Sequence, residues 1–268
     1  MSTNAAAVAA GPYVTRHDAG GVVTLTLNRG ERFNPLSSAM VAALEAELDA
    51  AGRDQAARVV ILAGAGRGFC AGHDLKEMRA HSDDEAWQRR LFTDCNRMMM
   101  KITELPIPVI ARVHGVATAA GCLLVSMCDL AVAAEEARFA LPGVNIGLFC
   151  STPVVGVARN VGRKRAMELL LTGELFDART ALAWGLVNRV VPATSLDAEI
   201  ARFTDVIVAR SRPVIAAGKR TFYRQIDQPM AGAYATAGET MACGMLEEDA
   251  AEGIDAFLAK RPARWRGR

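Results

Sequence analysis

The sequence predicts an α/β protein in which alternating strands and helices form a core and a helical segment follows it. Two patterns favour this class: short apolar runs alternate with amphipathic stretches up to Thr194, and only helical patterns follow. The 268 residues, 51% of them hydrophobic, also supply enough apolar surface for one large core. We therefore predict a disordered tail at residues 1–12, the α/β core at 13–194 and the helical segment at 195–268.

The first predicted elements are a β-hairpin and a capped helix. Tyr13 to His17 and Val22 to Leu27 are strand-like runs, and the Asp-Ala-Gly-Gly sequence between them is typical of a turn. Ser37 or Ser38 then provides a hydroxyl that can cap a helix running to Ala51. The elements predicted next are a buried strand at 58–63, a long helix at 84–103 and, after two prolines that end this helix, a strand at 109–113.

The elements predicted after residue 113 are mostly helical. A run of small and apolar residues predicts a helix that begins near Ala120, and two strand-like runs follow it at 130–133 and 138–140. Helical patterns then dominate the rest of the chain. They lie at 163–171, 178–184, 195–211 and from residue 229 onward.

The charge balance and the cysteines exclude several classes of function. The net charge is +2 with both signs spread along the chain, which argues against nucleic acid as a partner, because phosphate binding needs a clustered basic face. No apolar run reaches the ~20 residues of a membrane span, and the N-terminal residues lack the basic start of a targeting segment. The cysteines show neither CxxC spacing nor a metal pattern, so we predict reduced, buried thiols and a cytoplasmic location. They are Cys70, Cys95, Cys122, Cys128, Cys150 and Cys243.

Two well-separated segments carry the strongest functional signal. FCAGHDLKEM, at 69–78, is a turn-forming run, and HGVATAAGCLL, at 114–124, passes through small residues into an apolar helix. Each can offer a free backbone N–H to the same oxygen atom, which forms an oxyanion hole for charge developing on a thioester carbonyl. The pair resembles the enoyl-CoA hydratase/isomerase (crotonase) superfamily, whose members read AGAD-[IL]-K-E-[ML] and GxAxGGGxEL.

The resemblance covers residues 13–265. The further matching segments are LNRGERFNPLS at 27–37, MCDLAVAAEEARFALPGVNIGL at 127–148, LTGELFDARTALAWGLVNRVVP at 171–192 and EGIDAFLAKRPARW at 252–265. The resemblance implies the crotonase (ClpP/crotonase-like) fold, in which ββα turns stack into a spiral core and a C-terminal helical segment builds a trimer. It also implies an acyl-CoA thioester as substrate, no metal or other cofactor, and a homotrimer or a hexamer made of two trimers.

The resemblance also assigns site residues. The oxyanion-hole N–H groups belong to His73 and Ala120, and Gly121 lets the helix begin close to the substrate. The family usually has glycine at the position of Ala120, so the extra methyl group is expected to narrow the oxyanion hole. The residues placed at the acyl group or the CoA moiety are Arg29, Phe33, Ala71, Asp74, Leu75, Lys76, Leu123, Gly143, Asn145, Cys150, Phe257 and Lys260.

Two positions depart from the family's catalytic pattern. The family's glutamates fall at Leu123 and Gly143, neither of which can transfer a proton. A positioned acid or base contributes roughly 10² to 10⁴ in rate, so conventional hydration of an enoyl thioester is not expected without a substitute group. HGVATAAGC at 114–122, PGVNIGLFCSTP at 142–153 and GKRTFYRQ at 218–225 resemble the subgroup of enoyl-CoA hydratase domain-containing proteins, which shares this double loss.

His73 is the strongest candidate for the substitute group, because imidazole titrates near neutrality. The alternative is a ring that points away and hydrogen-bonds a backbone carbonyl. The same AGHD variant occurs in crotonase-like malonyl-type CoA decarboxylases. Cys150 as a nucleophile would need an activating base that the sequence does not identify. The polar residues expected to orient the substrate are Asn145, Cys150, Ser151 and Thr152.

Two aspartates and the basic tail complete the candidates. Asp74 is interpreted as orienting its loop, and Asp129 as a buried hydrogen-bonding group. The tail at 260–268 is interpreted as a solvated terminus, with contact between Lys260 and CoA phosphates as the alternative. Three functions remain open: an enolate-forming hydratase or isomerase, a malonyl-type acyl-CoA decarboxylase, and a non-catalytic acyl-CoA-binding trimer.

Overall fold

The computed structural model describes residues 11–267, so residues 1–10 of the predicted tail lie outside the described range. The strands within this range are β1 (Val14–Ala19), β2 (Val22–Leu27), β3 (Val59–Gly64), β4 (Val109–Val113), β5 (Val116–Thr118), β6 (Leu130–Ala134), β7 (Arg138–Ala140), β8 (Phe176–Asp177) and β9 (Arg189–Val191). The α-helices are α1 (Ser38–Arg53), α2 (Leu75–Ala80), α3 (Glu85–Glu104), α4 (Ala120–Met127), α5 (Pro153–Val161), α6 (Arg163–Thr172), α7 (Ala178–Trp184), α8 (Leu196–Val208), α9 (Arg212–Gln225), α10 (Met230–Gly244) and α11 (Glu248–Leu258). Short 3-10 helices span Gly30–Arg32, Pro142–Ile146 and Ala193–Ser195.

Six of the strands form one sheet, in the order β1-β2-β3-β4-β6-β9. The hairpin β1–β2 is antiparallel, and the other neighbouring strands of this sheet are parallel. The hairpin turn uses Gly20 and Gly21, whose φ angles of 57° and 83° suit glycine. Strands β5, β7 and β8 form a second, smaller sheet. Parallel strands connected through helices confirm the predicted α/β class.

The large sheet is buried on both faces, and its residues alternate between two cores. Val60 and Leu62 of β3 lie in the larger core, together with residues of α1, α3 and α4. Val59 points to the smaller core, which Leu196 and Ile200 of α8 cover. A parallel sheet with two covered faces needs nearly continuous apolar strands, and this is the pattern that the sequence shows.

A buried lysine attaches α9 to the core. Nζ of Lys219 donates to the carbonyl oxygens of Ile102 and Ile107 at 2.8 and 3.0 Å and to Oδ2 of Asp129 at 2.7 Å. Oδ1 of Asp129 accepts from the Tyr223 hydroxyl at 2.9 Å. Burial lowers the pKa of Lys219, and the adjacent carboxylate offsets part of this effect. These contacts give Asp129 the structural role inferred from the sequence.

The structure differs from the predicted elements at one break between two helices and in several short elements that were not predicted. The helix predicted at 195–211 ends at Val208, and α9, which was not predicted, begins at Arg212. Ser211 separates the two helices, because its side chain accepts from the Val214 N–H and caps α9. The other elements not predicted are α2, α5, β5, β8 and β9. The domain boundary at Thr194 stays a prediction.

No helix within residues 11–267 combines the length and the apolar character that crossing a bilayer needs.

Candidate active site

The segment after β3 and the segment before α4 are hydrogen-bonded to each other. The N–H groups of Phe69 and Cys70 donate to the Val116 carbonyl at 3.0 and 3.1 Å, and the Thr118 N–H donates to the Cys70 carbonyl at 3.0 Å. Gly121 packs directly on this junction, because a Cβ at Gly121 would lie 2.0 Å from the Cys70 oxygen. Glycine is therefore required for α4 to begin here, and the space beside Gly121 is filled by Cys70.

The backbone N–H groups of His73 and Ala120 at this junction have no acceptor among the described residues. The Leu36 N–H donates to the Gly72 oxygen at 2.8 Å, and the Leu36 carbonyl accepts from the Asp74 N–H at 3.3 Å. Leu36 thus forms a parallel β-bridge with the residue between Gly72 and Asp74, which is His73. In a parallel bridge the N–H of that residue points away from the partner strand, so the His73 N–H points away from Leu36. Ala120 is the first residue of α4, so its N–H has no carbonyl one turn earlier in the helix. Both groups are free to bind an oxygen atom.

Gly72 allows the segment that carries the His73 N–H to lie against the segment that carries the Ala120 N–H. Its φ angle is 95°, and a Cβ built on it would lie 2.9 Å from the Cβ of Ala119 and 3.3 Å from the nitrogen of Ala120. The residue before His73 therefore lies against the start of α4. The N-terminus of α4 adds a partial positive charge, which favours an anion at this point.

The imidazole of His73 is mostly buried and uncharged at neutral pH. Its edge packs on Phe92 of α3, with the ring centroids 5.3 Å apart. Nε2 is buried without a hydrogen-bond partner in residues 11–267. Burial lowers the pKa of His73 to about 4, and Glu77 offsets only part of this effect. The alternative of a hydrogen bond to a backbone carbonyl is not found in this range, and a neutral imidazole cannot act as a general acid at pH 7.

Asp74 organises the loop that carries His73. Oδ1 of Asp74 accepts from the N–H groups of Lys76 and Glu77 at 3.0 and 3.4 Å and so caps α2. Oδ2 of Asp74 accepts from Arg32 at 2.7 Å. Lys76 and Leu75, in the first turn of α2, are exposed and accessible to a ligand.

The loop from Arg29 to Phe33 adjoins the same segment. The Phe33 carbonyl accepts from the Ala71 N–H at 2.9 Å, and the Arg67 guanidinium lies over the Phe33 ring at 5.3 Å. The Arg29 guanidinium stacks on Tyr13 at 3.9 Å and donates to three backbone carbonyls. Phe33 and Ala71 are therefore brought together, whereas the Arg29 side chain is occupied within the chain.

Asn34 is a site-organising residue that the sequence analysis missed. It is fully buried with a φ angle of 53°. Its side-chain nitrogen donates to the carbonyls of Ala65, Gly68 and Phe69 at 2.9 to 3.0 Å, and its oxygen accepts from the Arg29 N–H at 2.9 Å. The sequence did contain a signal for this role, which is an asparagine followed by a proline within a loop. Asparagine tolerates the left-handed backbone region, and its side chain hydrogen-bonds nearby backbone groups.

Leu123 and Gly143 leave the site without a carboxylate at either position. Leu123 is 4% exposed and belongs to the larger core. A Cβ at Gly143 would lie 2.9 Å from both the Cys150 sulfur and the Leu148 carbonyl oxygen. A glutamate at Gly143 would therefore require the backbone around Cys150 to move. Burial also raises the pKa of the Cys150 thiol, which disfavours the nucleophilic thiolate.

The polar residues Asn145, Ser151 and Thr152 lie on the loop between Gly143 and α5. The Asn145 side chain donates to a backbone carbonyl at 3.3 Å, and the Ser151 hydroxyl donates to another at 3.4 Å. Thr152 precedes the first turn of α5. The same loop exposes about half of three large apolar side chains, Ile146 at 55%, Leu148 at 51% and Phe149 at 48%.

Phe257 lies in the last turn of α11, and Lys260 follows the end of that helix. Phe257 is 82% exposed. Within residues 11–267, neither side chain makes a hydrogen bond, ion pair or ring contact.

Residues 261–267 of the basic tail are hydrogen-bonded to the rest of the protein and remain largely exposed. Arg261 pairs with Glu252 at 2.7 Å, and the Trp265 indole N–H donates to the Ala209 carbonyl at 2.8 Å. The Arg266 N–H also donates to a carboxylate of α11 at 2.6 Å. Two carboxylates and a helix end therefore attach the tail to the protein, while most of its residues stay exposed to solvent as the sequence analysis expected.

The cysteines are unpaired, and Cys243 is exposed whereas the others are buried. Burial raises the pKa values of Cys70, Cys95 and Cys122 to about 12. In the described part of the chain, no group of three or more His, Cys, Asp or Glu side chains is placed to hold a metal ion. The buried thiols are therefore protonated at neutral pH.

Comparisons with known proteins match nearly the whole chain. The family model described as "Enoyl-CoA hydratase/isomerase" matches residues 17–268. The Mus musculus protein "Enoyl-CoA hydratase domain-containing protein 3, mitochondrial" is 42% identical over 245 residues, which cover 91% of this chain and 81% of the mouse protein. The crystal structure of a Mycobacterium smegmatis enoyl-CoA hydratase is 54% identical, has a TM-score of 0.93, and the match covers 95% of this chain and 99% of that one. The crystal structure of human enoyl Coenzyme A hydratase domain-containing protein 3 is 41% identical, with a TM-score of 0.92 and coverage of 94% and 100%. These similarities confirm the predicted fold and the predicted resemblance.

The same comparisons contradict the predicted cytoplasmic location. The relatives from mouse, rat, human, Xenopus laevis and Danio rerio are all named as mitochondrial proteins. The prediction is wrong because reduced thiols exclude an oxidising compartment but do not distinguish between reducing ones.

Proposed function

We propose that this chain, which belongs to the enoyl-CoA hydratase/isomerase family, binds an acyl-CoA thioester and stabilises the enolate of its acyl group. The observation that carries the proposal is the pair of unpaired N–H groups of His73 and Ala120 on adjoining segments. A thioester oxygen between them would accept two hydrogen bonds as its negative charge develops, and each donor is worth on the order of 10² to 10³ in rate. The positive end of α4 acts in the same direction.

The CoA moiety is assigned to the surface beside this donor pair. Phe33 and Ala71 meet there through a backbone hydrogen bond, and Lys76 is exposed without an ion pair in residues 11–267. An unpaired ammonium is a suitable partner for a CoA phosphate. Arg29 is assigned a supporting role, because its guanidinium holds the loop by stacking on Tyr13 and donating to three backbone carbonyls.

Hydration of an enoyl thioester is weakly supported, because the site offers no strong acid or base. Leu123 is apolar, and Gly143 has no side chain. His73, with a pKa of about 4, is neutral at pH 7 and only a weak base. Each missing acid or base costs roughly 10² to 10⁴ in rate, so hydration without one would be slow.

Decarboxylation of a 2-carboxyacyl-CoA is the second candidate, and the uncharged environment of the site favours it. In this reaction the bond between the α-carbon and the carboxylate breaks, CO₂ leaves, and the electron pair becomes the enolate. No protein base is needed for that step. Leu123 and neutral His73 neither repel the substrate carboxylate nor solvate it well, which favours its loss. A water molecule then protonates the α-carbon and is left as hydroxide.

The test offers crotonyl-CoA and methylmalonyl-CoA to the purified protein and to His73→Ala. We expect both thioesters to bind, as measured by calorimetry, and expect hydration far below the kcat of ~10 s⁻¹ of a typical enzyme. Decarboxylation without hydration would support the second candidate, and binding without turnover would reduce the function to acyl-CoA binding. His73→Ala keeps the backbone N–H, so any change isolates the imidazole. Failure of every thioester to bind would overturn the proposal.

A homotrimer, or a hexamer of two trimers, is proposed as the working assembly. The support is the exposure of large apolar side chains on the C-terminal helices, with Tyr234 at 73%, Leu246 at 88% and Phe257 at 82%. Apolar surface of this kind marks interaction sites, and a second copy could then supply Phe257 to the acyl pocket. Light scattering after gel filtration should give a trimeric or hexameric mass, and Leu246→Asp should lower it. A monomeric mass for the unmodified protein would contradict the assignment.

A further inference from the structure

We propose that Ala119 is a positioning residue, which fixes the separation of the His73 and Ala120 donors by placing a methyl group in a backbone conformation suited to glycine. The inference rests on the proposed function, because it concerns the same donor pair. Ala119 cannot be a donor itself, since its own N–H is bonded to the Ala140 carbonyl at 2.9 Å.

The backbone of Ala119 is strained. Its φ and ψ angles are 49° and −120°, the values of the first central residue of a type II′ turn, where glycine is strongly preferred. Phe33 differs from it, because its φ and ψ angles of 60° and 35° lie in the left-handed helical region that other residues can reach. A residue stays in a sparsely populated region only when its surroundings impose that conformation, and such residues cluster at functional sites.

Three contacts impose this conformation. The Ala119 N–H is held by Ala140 at the end of β7, and the Ala119 carbonyl accepts from the Leu123 N–H at 3.1 Å, which begins the hydrogen bonding of α4. The methyl group faces Gly72, because a Cβ at Gly72 would lie only 2.9 Å from it. The methyl group thus occupies the space that the missing side chain of Gly72 leaves.

This contact links the two donors mechanically. Gly72 is bonded to His73, and Ala119 is bonded to Ala120, so the methyl group sets the distance between the two N–H groups. Glycine at Ala119 would relieve the strain, but it would leave a gap beside Gly72 and a more flexible turn. The donors would then spend less time at a separation that suits a single oxygen atom. A methyl group that adds strain at this point is therefore expected to improve the alignment of the donors.

The experiment uses 2,4-hexadienoyl-CoA as a probe, because its conjugated thioester absorbs at longer wavelength when hydrogen bonds polarise the carbonyl. We expect the unmodified protein to shift this absorption band and Ala119→Gly to lose most of the shift. Binding of the probe, measured by calorimetry, should stay within about tenfold, since most of the contacts of the CoA moiety are unchanged. Ala119→Ser keeps the Cβ atom and should retain the shift.

Thermal unfolding provides the control for folding. Ala119→Gly should have a Tm no lower than that of the unmodified protein, because glycine relieves the backbone strain. Three results would overturn the inference and leave the proposed function standing. They are a full absorption shift in Ala119→Gly, a lost shift in Ala119→Ser, and a clearly lower Tm of Ala119→Gly. Absence of any shift when the unmodified protein binds the probe would instead overturn the proposed donor pair itself.

Discussion

Lowering the pH from 7 to 5 should destabilise the protein through His73. Burial lowers the pKa of His73 to about 4, whereas an unfolded histidine titrates near 6.5. Between these values the unfolded state binds more protons than the folded state, so stability is lost as the pH falls. Proton linkage predicts that the free energy of unfolding falls by about 2 kcal/mol between pH 7 and pH 5, and that the loss approaches about 3 kcal/mol below pH 4.

The assay measures the free energy of unfolding in urea at both pH values for the unmodified protein and for His73→Phe. Phenylalanine keeps a ring against Phe92 but cannot bind a proton, and the other titrating groups are common to both proteins. The stability difference between the two proteins should therefore change by about 2 kcal/mol between pH 7 and pH 5, at one protein concentration, because assembly also affects stability. An NMR titration of the His73 ring gives the pKa directly. A pKa near 6.5, or the same pH dependence in both proteins, would refute the burial argument.

Three further substitutions test the contacts that hold the site and the C-terminal helices. Lys219→Met should lower the free energy of unfolding by about 3 kcal/mol, because it leaves the largely buried carboxylate of Asp129 without its cation. Chemical denaturation measures this free energy, and an unchanged value would show that the ion pair does not stabilise the fold. Gly121→Ala should cost about 3 kcal/mol, because its Cβ would lie 2.0 Å from the Cys70 oxygen. Its control, Gly218→Ala, has no atom within 4 Å of the new Cβ and should stabilise by about 1 kcal/mol; equal urea midpoints for the two variants would count against the packing argument. Asn34→Ala should cost about 3 kcal/mol, because four hydrogen bonds are lost, and an unchanged Tm would show that the loop does not depend on them.

The regular elements could be predicted because their signals are local. The strand Val109–Val113 follows two prolines, and the helix Ala178–Trp184 follows Asp177, whose side chain caps it. Strands of two or three residues, such as Phe176–Asp177, are too short to establish a period. The start of α9 escaped prediction for a different reason: the break before it depends on the cap that Ser211 provides, within a pattern that is helical on both sides.

The candidate donor pair could be inferred from the sequence because it consists of backbone atoms in two recognisable motifs, and its role in binding stays a prediction. The side-chain environments could not be inferred in this way. The pKa of His73 depends on burial against Phe92, which lies on another helix. The Arg29 guanidinium is taken up by Tyr13 and nearby carbonyls, and a sequence pattern does not show which partner an arginine finds. Such contacts depend on how distant elements pack, so they require the structure.

Enolate chemistry has two requirements, polarisation of the thioester carbonyl and proton transfer, and the first needs backbone groups whereas the second needs side chains. In the proposed function, polarisation of the thioester carbonyl uses the N–H groups of His73 and Ala120, so we expect it to tolerate side-chain replacement. Proton transfer depends on side chains, so we expect it to be slow with Leu123 at a position where a carboxylate is needed. His73→Ala should accordingly retain the absorption shift of bound 2,4-hexadienoyl-CoA, because its N–H remains. If that variant lost the shift while Ala119→Gly kept it, the imidazole rather than the backbone would be the group that polarises the thioester. The reaction would then have to be assigned to the His73 side chain.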